Sequence, residues 1–204
     1  STNLSEVIVV GLGVILAAAL DLREPDGSYL LPLTAAQILW INLVTDGLPA
    51  MSLALDRNPE AMQQPPRPPS APLLDRPSLR FVLTSGIIKG GIALGILGLS
   101  QLTLFENHAA RTATFHFMSI GQLFFAYPAR HTNLTPLPNR WLHAAVAFGV
   151  LLQIFIGWLP WTQNILGLVP LTITQWGGVL AAAVSAWALA EIINRLMWHP
   201  AKRA

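Results

Sequence analysis

Residues 40–50 read WINLVTDGLPA and hold a single acid, Asp46, within an otherwise uncharged apolar run. On a helix, Asn42, Thr45, Asp46 and Pro49 fall within about 100° of arc, and Trp40 points the opposite way. Pro49 has no N–H for the carbonyl four residues back, that of Thr45, and Gly47 weakens the helix at the same place. One turn therefore gathers a carboxylate, an amide oxygen, a hydroxyl and a freed backbone carbonyl. These are hard oxygen donors, of which Ca2+ or a similar cation takes about six to eight. Asn3 and Glu6 stand i, i+3 on one face near the start of the chain, and Gln122 lies in a later apolar run with Ser119 and His116 near the same stripe. Taken singly, such groups also serve as polar glue between helices, and this describes His116 and Gln122 well. It describes Asp46 poorly, because an ionised acid in the middle of a bilayer costs about 2.5–3.5 kcal/mol or more and must face a partner or a cavity.

The setting for these residues follows from composition. Of 204 residues, 53% are hydrophobic and 11% charged, against about 25% charged in a soluble domain. Apolar runs recur at about 1–20, 34–55, 79–105, 110–128, 140–160 and 172–196, each near the roughly 20 residues that cross a bilayer as a helix. The expected fold is an all-α membrane protein, a bundle of six transmembrane helices in the lipid bilayer. The fourth run is the weakest, being short and holding His116, Ser119 and Gln122. Gly86 and Gly90, then Gly91, Gly95 and Gly98, give overlapping GxxxG spacings in the third run, with Gly11 and Gly13 of the first as a possible partner surface. Small residues four apart let membrane helices approach closely.

Other classes are excluded by what is missing. There is no cysteine, which removes thiol chemistry, disulfides and Cys-based metal sites. A net charge of +2 with no basic stripe gives nucleic acid nothing to bind. No internal repeat supports an inverted-repeat secondary transporter. The opening STNLSEVIVV has neither a basic n-region nor an initiator Met, and it reads as a cut through a longer protein.

Lysine and arginine set the orientation. If the first helix leaves the cytoplasm, Arg57, Arg67, Arg76, Arg80, Lys89, Arg130, Arg140, Arg195, Lys202 and Arg203 fall on the cytoplasmic side and only Arg23 and Arg111 on the other, ten of all twelve against two. Both chain ends are then cytoplasmic. The longest connection, about 56–78, contains QQPPRPPSAP. Its prolines forbid a helix and favour extended backbone. It reads either as a stiff linker or as a strap on which a cytoplasmic domain docks. Short loops and Ala/Leu-rich helices suggest a bacterial plasma membrane.

QILWINLVTDGLPA, followed by PPRPPSAPLL, closely resembles the sixth membrane helix and following loop of calcium-type (class II) cation-transporting P-type ATPases. STNLSEV resembles the ion-binding part of their fifth helix, and TITQW the entrance to their tenth. The resemblance covers the whole chain as the fifth to tenth of ten membrane helices, their C-terminal membrane domain. It implies that Asn42 and Asp46 ligate the transported ion, and that Thr45, Asn3 and Glu6 belong to a second site where the family has one. Asn42, where sodium–potassium pumps tend to have Asp, leans toward Ca2+. Gln122 aligns with a Glu of two-calcium pumps, which favours one ion per cycle, as in plasma-membrane-type calcium pumps. No DKTGT phosphorylation motif occurs in the sequence. The resemblance therefore assigns ATP and Mg2+ to a missing N-terminal part of the same pump, whose phosphorylation domain would dock on loop 56–78, and no catalytic residue to this chain. A passive cation channel or secondary transporter, and a non-catalytic membrane scaffold derived from a pump, are the competing readings.

Overall fold

The computed structural model describes residues 2–23, 27–56, 76–99, 106–130 and 138–198. The Pro-rich segment expected to form a strap therefore lies, from 57 to 75, outside the described residues, as does the expected end of the third helix at 100–105. Every regular element among the described residues is helical apart from an isolated bridge between Arg23 and Tyr29. The elements are α1 (Thr2–Ala19), α2 (Ala35–Trp40), a π-helical turn (Ile41–Thr45), α3 (Gly47–Ala54), α4 (Arg76–Gly98), α5 (Asn107–Arg130), α6 (Arg140–Trp158), α7 (Pro160–Leu166) and α8 (Ile173–Trp198).

The centre of the bundle is α5. Every residue from Ala109 to Leu123 is buried, and α1, α4, α6, α8 and the π turn all pack on this helix. This explains why the fourth apolar run looked weakest. A helix surrounded by protein needs no apolar surface for lipid, so Thr112, Thr114, His116, Ser119 and Gln122 can all point into neighbouring helices. The outer helices show the opposite pattern. Leu43, Ile87 and Leu151 are 70%, 61% and 66% exposed, an apolar exterior suited to hydrocarbon and unsuited to water. By length and composition, three helices among the described residues could cross a membrane: Ser78–Gly98, Arg140–Trp158 and Ile173–Leu196. The apolar stretch Asn3–Ala19 is shorter.

The α1–α4 contact is built on small residues. A Cβ added at Gly86 would meet Leu4 at 2.8 Å, and one added at Gly90 would meet Ile8 at 2.7 Å. Both pairs repeat at i, i+4, so two side chains of α1 seat in the gaps left by two glycines of α4. Of the two glycines expected on the partner surface, Gly11 has open space around it, and Gly13 faces Pro32 most closely, with Leu94 of α4 at 3.5 Å.

Successive long elements run in alternating directions, as their end contacts show. At one end Arg130 grips Asp56 with two bonds of 2.8 Å, and Asn139 donates to Asp56 and to the Ser52 carbonyl. At the other, Gln37 donates to the Leu166 carbonyl at 3.0 Å and Asn107 to that of Arg23 at 3.4 Å. The run 34–55, expected as one helix weakened at Gly47 and Pro49, is three segments. One boundary is corrected. The run 140–160 stops at Trp158, because Pro160 disfavours helical backbone at Leu159 and opens the separate helix α7.

Candidate functional site

The break in the second apolar run is anchored on its N-terminal side. Thr34 and Gln37 form a reciprocal capping box at the start of α2. Trp40 donates 3.1 Å to Gln153 of α6, whose amide also meets His116 Nδ1 at 3.0 Å. Beyond Trp40 the backbone widens into the π turn, where the Asp46 N–H reaches back to the Ile41 carbonyl at 3.0 Å. The normal ladder resumes with Ala50 donating to the Asp46 carbonyl at 3.1 Å. Single π turns inside α-helices concentrate at functional sites because the extra residue re-aims the side chains beside it.

Here it aims Asp46 at α5. Gln122 Nε2 donates to Asp46 Oδ1 at 2.5 Å and lies 3.5 Å from Glu6 Oε1. Asn42 Nδ2 donates to Glu6 Oε2 at 3.3 Å and to the Ile38 carbonyl at 3.1 Å. Four residues singled out from sequence, Glu6, Asn42, Asp46 and Gln122, thus converge from α1, the π turn with its flanking residue, and α5. Glu6 and Gln122 are buried, Asp46 is half-buried, and Asn42 is on an open flank. The other two are placed differently. Thr45 is buried with its hydroxyl donating 2.7 Å to the Ile41 carbonyl, and Asn3 is exposed one turn before Glu6.

The amide chemistry decides which oxygens face a cation. Asn42 uses its NH2 group on Glu6 and Ile38, so its Oδ1 is the atom left to a ligand. Asp46 Oδ1 is taken by Gln122, and Oδ2 has no protein hydrogen bond among the described residues. No set of three His, Asp or Glu converges among the described residues, so carboxylate charge in the cluster is limited to Glu6 and Asp46.

One member was misread from sequence. Lys89, counted there with the cytoplasmic loop charges, is 1% exposed in the middle of α4, and its Nζ donates 2.6 Å to Gln122 Oε1. The available signal was its depth: it stands between Gly86 and Gly90 in an apolar run, too far from either end of the helix to reach water.

An all-helical bundle with an apolar exterior, interrupted by a π turn that brings an acid to a buried amide and near a second acid, defines a multi-pass membrane protein with a polar cluster in its core. Residues 30–196 match the family described as "Cation transporting ATPase, C-terminus", and the chain belongs to that family. It is 30% identical to "Calcium-transporting ATPase 1" of Bacillus cereus over 95% of this chain and 23% of that protein. It is also 30% identical to "Calcium-transporting ATPase" of Bacillus subtilis, over 86% of this chain and 19% of that protein. With "Probable cation-transporting ATPase F" of Mycobacterium bovis the identity is 26% over 90% of this chain and 20% of that protein. The chain thus spans about a fifth of the length of the curated relatives it matches.

Proposed function

We propose that the chain is the ion-binding membrane part of an ATP-driven pump that exports Ca2+, one ion per cycle, with six membrane helices and both ends in the cytoplasm. The observation that carries the reading is the meeting of Asp46, Asn42 and Glu6 at the π turn against Gln122. Asp46 and Asn42 supply the principal oxygens. The Thr45 carbonyl, which Pro49 cannot occupy, is a further donor. Glu6, Gln122, Thr45 and Asn3 form the side where a second ion would bind in a two-ion pump. ATP and Mg2+ act in phosphorylation and nucleotide domains belonging to the length of the relatives that this chain does not span, and loop 56–78 docks on the phosphorylation domain.

The Gln122 N–H places its partial positive charge on Asp46 Oδ1, where a cation would otherwise act. A charge-assisted hydrogen bond of this kind contributes about 1.5–3 kcal/mol, enough to hold the carboxylate in place and weak enough for an incoming divalent ion to replace. Conversion of Asp46 to Asn keeps size and hydrogen bonding and removes the charge. In the full-length protein, Asp46→Asn should abolish Ca2+-dependent phosphorylation and 45Ca2+ uptake with membrane insertion intact. Normal uptake by Asp46→Asn would reduce the carboxylate to helix glue and end the ion-site reading.

A further inference from the structure

Lys89 adds a buried amine to this cluster, positively charged when protonated. The side chain enters beside Gly121 of α5, where an added Cβ would approach Lys89 Cε to 3.3 Å, and its Nζ lies 5.8 Å from the centre of the Phe125 ring. An ammonium only donates hydrogen bonds, so Gln122 must turn its oxygen to Lys89 and its NH2 group to the two acids. That is the arrangement observed, with Lys89 on Oε1 at 2.6 Å and Asp46 and Glu6 on Nε2. The ammonium also attracts both carboxylates electrostatically. With both carboxyls ionised and Lys89 protonated, the cluster carries one net negative charge. One divalent ion overcompensates this modestly, whereas a second would leave a large uncompensated charge in a medium of low dielectric constant.

We propose that Lys89 is a tethered cation that fills the second cation position, holding the Gln122 oxygen and compensating Glu6, and so limits the site to one transported ion. The inference rests on the ion-site reading above. It makes Lys89 a stoichiometry-determining residue contributed by α4, a helix from which no ligand was expected.

The test is equilibrium 45Ca2+ binding to the purified full-length protein, counted per molecule, for wild type, Lys89→Met, Glu6→Gln, the double variant and Asp46→Asn. Wild type should bind one ion. Lys89→Met should bind close to two, the first about tenfold or more tightly than wild type, because a like charge near the site has gone. Glu6→Gln should bind about tenfold or more weakly, since Lys89 then faces Asp46 with its own acid removed. The double variant, which loses one charge of each sign, should return to one ion within a few-fold of wild-type affinity. Lys89→Met remaining at one ion with unchanged affinity would overturn the proposal. So would a double variant no better than Glu6→Gln, a comparison that still decides if Lys89→Met alone fails to insert. Loss of binding in Asp46→Asn alongside a silent Lys89→Met discards only the tethered cation, whereas normal binding by Asp46→Asn discards the site itself.

Discussion

At Asn42 and Thr45 the same chemical class, a side-chain oxygen one turn from Asp46, has two different fates. The Asn42 oxygen is left to a ligand because both N–H groups are engaged by Glu6 and Ile38. The Thr45 hydroxyl is spent on the Ile41 carbonyl, where it braces the π turn. Asn42→Ala should therefore weaken the Ca2+ dependence of phosphorylation in the full-length protein by about tenfold, the loss of about 1.4 kcal/mol. Thr45→Val should change it by less than about threefold while lowering thermal stability by about 0.5–1.5 kcal/mol, since the Ile41 carbonyl keeps the Asp46 N–H but loses the hydroxyl's hydrogen bond. Equal effects of the two would mean that Thr45 ligates through its side chain. Asn42, Asp46 and Gln122 were legible in the sequence because an acid and amides in an apolar run are costly unless used. What could not be read was direction: which atom of each amide faces the cluster is set by Lys89 and Glu6, residues far away in the chain.

Among the elements, the broken α2–α3 unit carries the chemistry and α5 carries the scaffold. Gly47 and Pro49 announced the break, and the break is there. The π turn before it was not announced, because a widened turn has no residue signature and depends on what anchors the helix on each side. Those anchors are tertiary: Trp40 on Gln153 of α6 before the turn, and the Ser52 carbonyl of α3 on Asn139 after it. The central position of α5 was hidden for a related reason. Hydropathy detects contact with lipid, so the helix most enclosed by protein gave the weakest signal. These points make Pro49 the separable test of the break. Pro49→Ala restores an N–H that can bond the Thr45 carbonyl, which in the first turn of α3 adds about 1 kcal/mol, less than the penalty of an interior proline. The variant should be more heat-stable and yet bind Ca2+ about tenfold more weakly, as one oxygen donor is withdrawn. Unchanged Ca2+ affinity in a stabilised Pro49→Ala protein would show that the freed carbonyl plays no part in the site.

For the molecule as a whole, the alternating helices give two chemically distinct ends. One carries Arg76, Arg80, Arg140 and Arg195 with the Arg130–Asp56–Asn139 clamp, from which residues 57–75 depart. The other carries Asp21, Glu106 and the aromatic Trp158 and Trp161, both largely exposed, as tryptophans at a membrane–water boundary are. Burial of Lys89 removes it from the charge count, and among the described residues Arg76, Arg80, Arg130, Arg140 and Arg195 still fall on the clamp side against Arg23 and Arg111 on the other. The positive-inside tendency survives the correction, so the clamp end should face the cytoplasm. The absence of cysteine from the sequence makes labelling of this region direct. In a full-length protein cleared of any other cysteine, Asp21→Cys and Glu106→Cys should react with an impermeant maleimide on intact cells. Arg67→Cys and Arg140→Cys should react only after the membrane is opened. Arg140 and Glu106 are both exposed in the bundle, so a silent position reports the membrane and not burial in protein. The reverse pattern would turn the bundle over and direct the Pro-rich segment away from any cytoplasmic phosphorylation domain. Labelling of all four from outside would remove at least one of the crossings on which the six-helix arrangement depends.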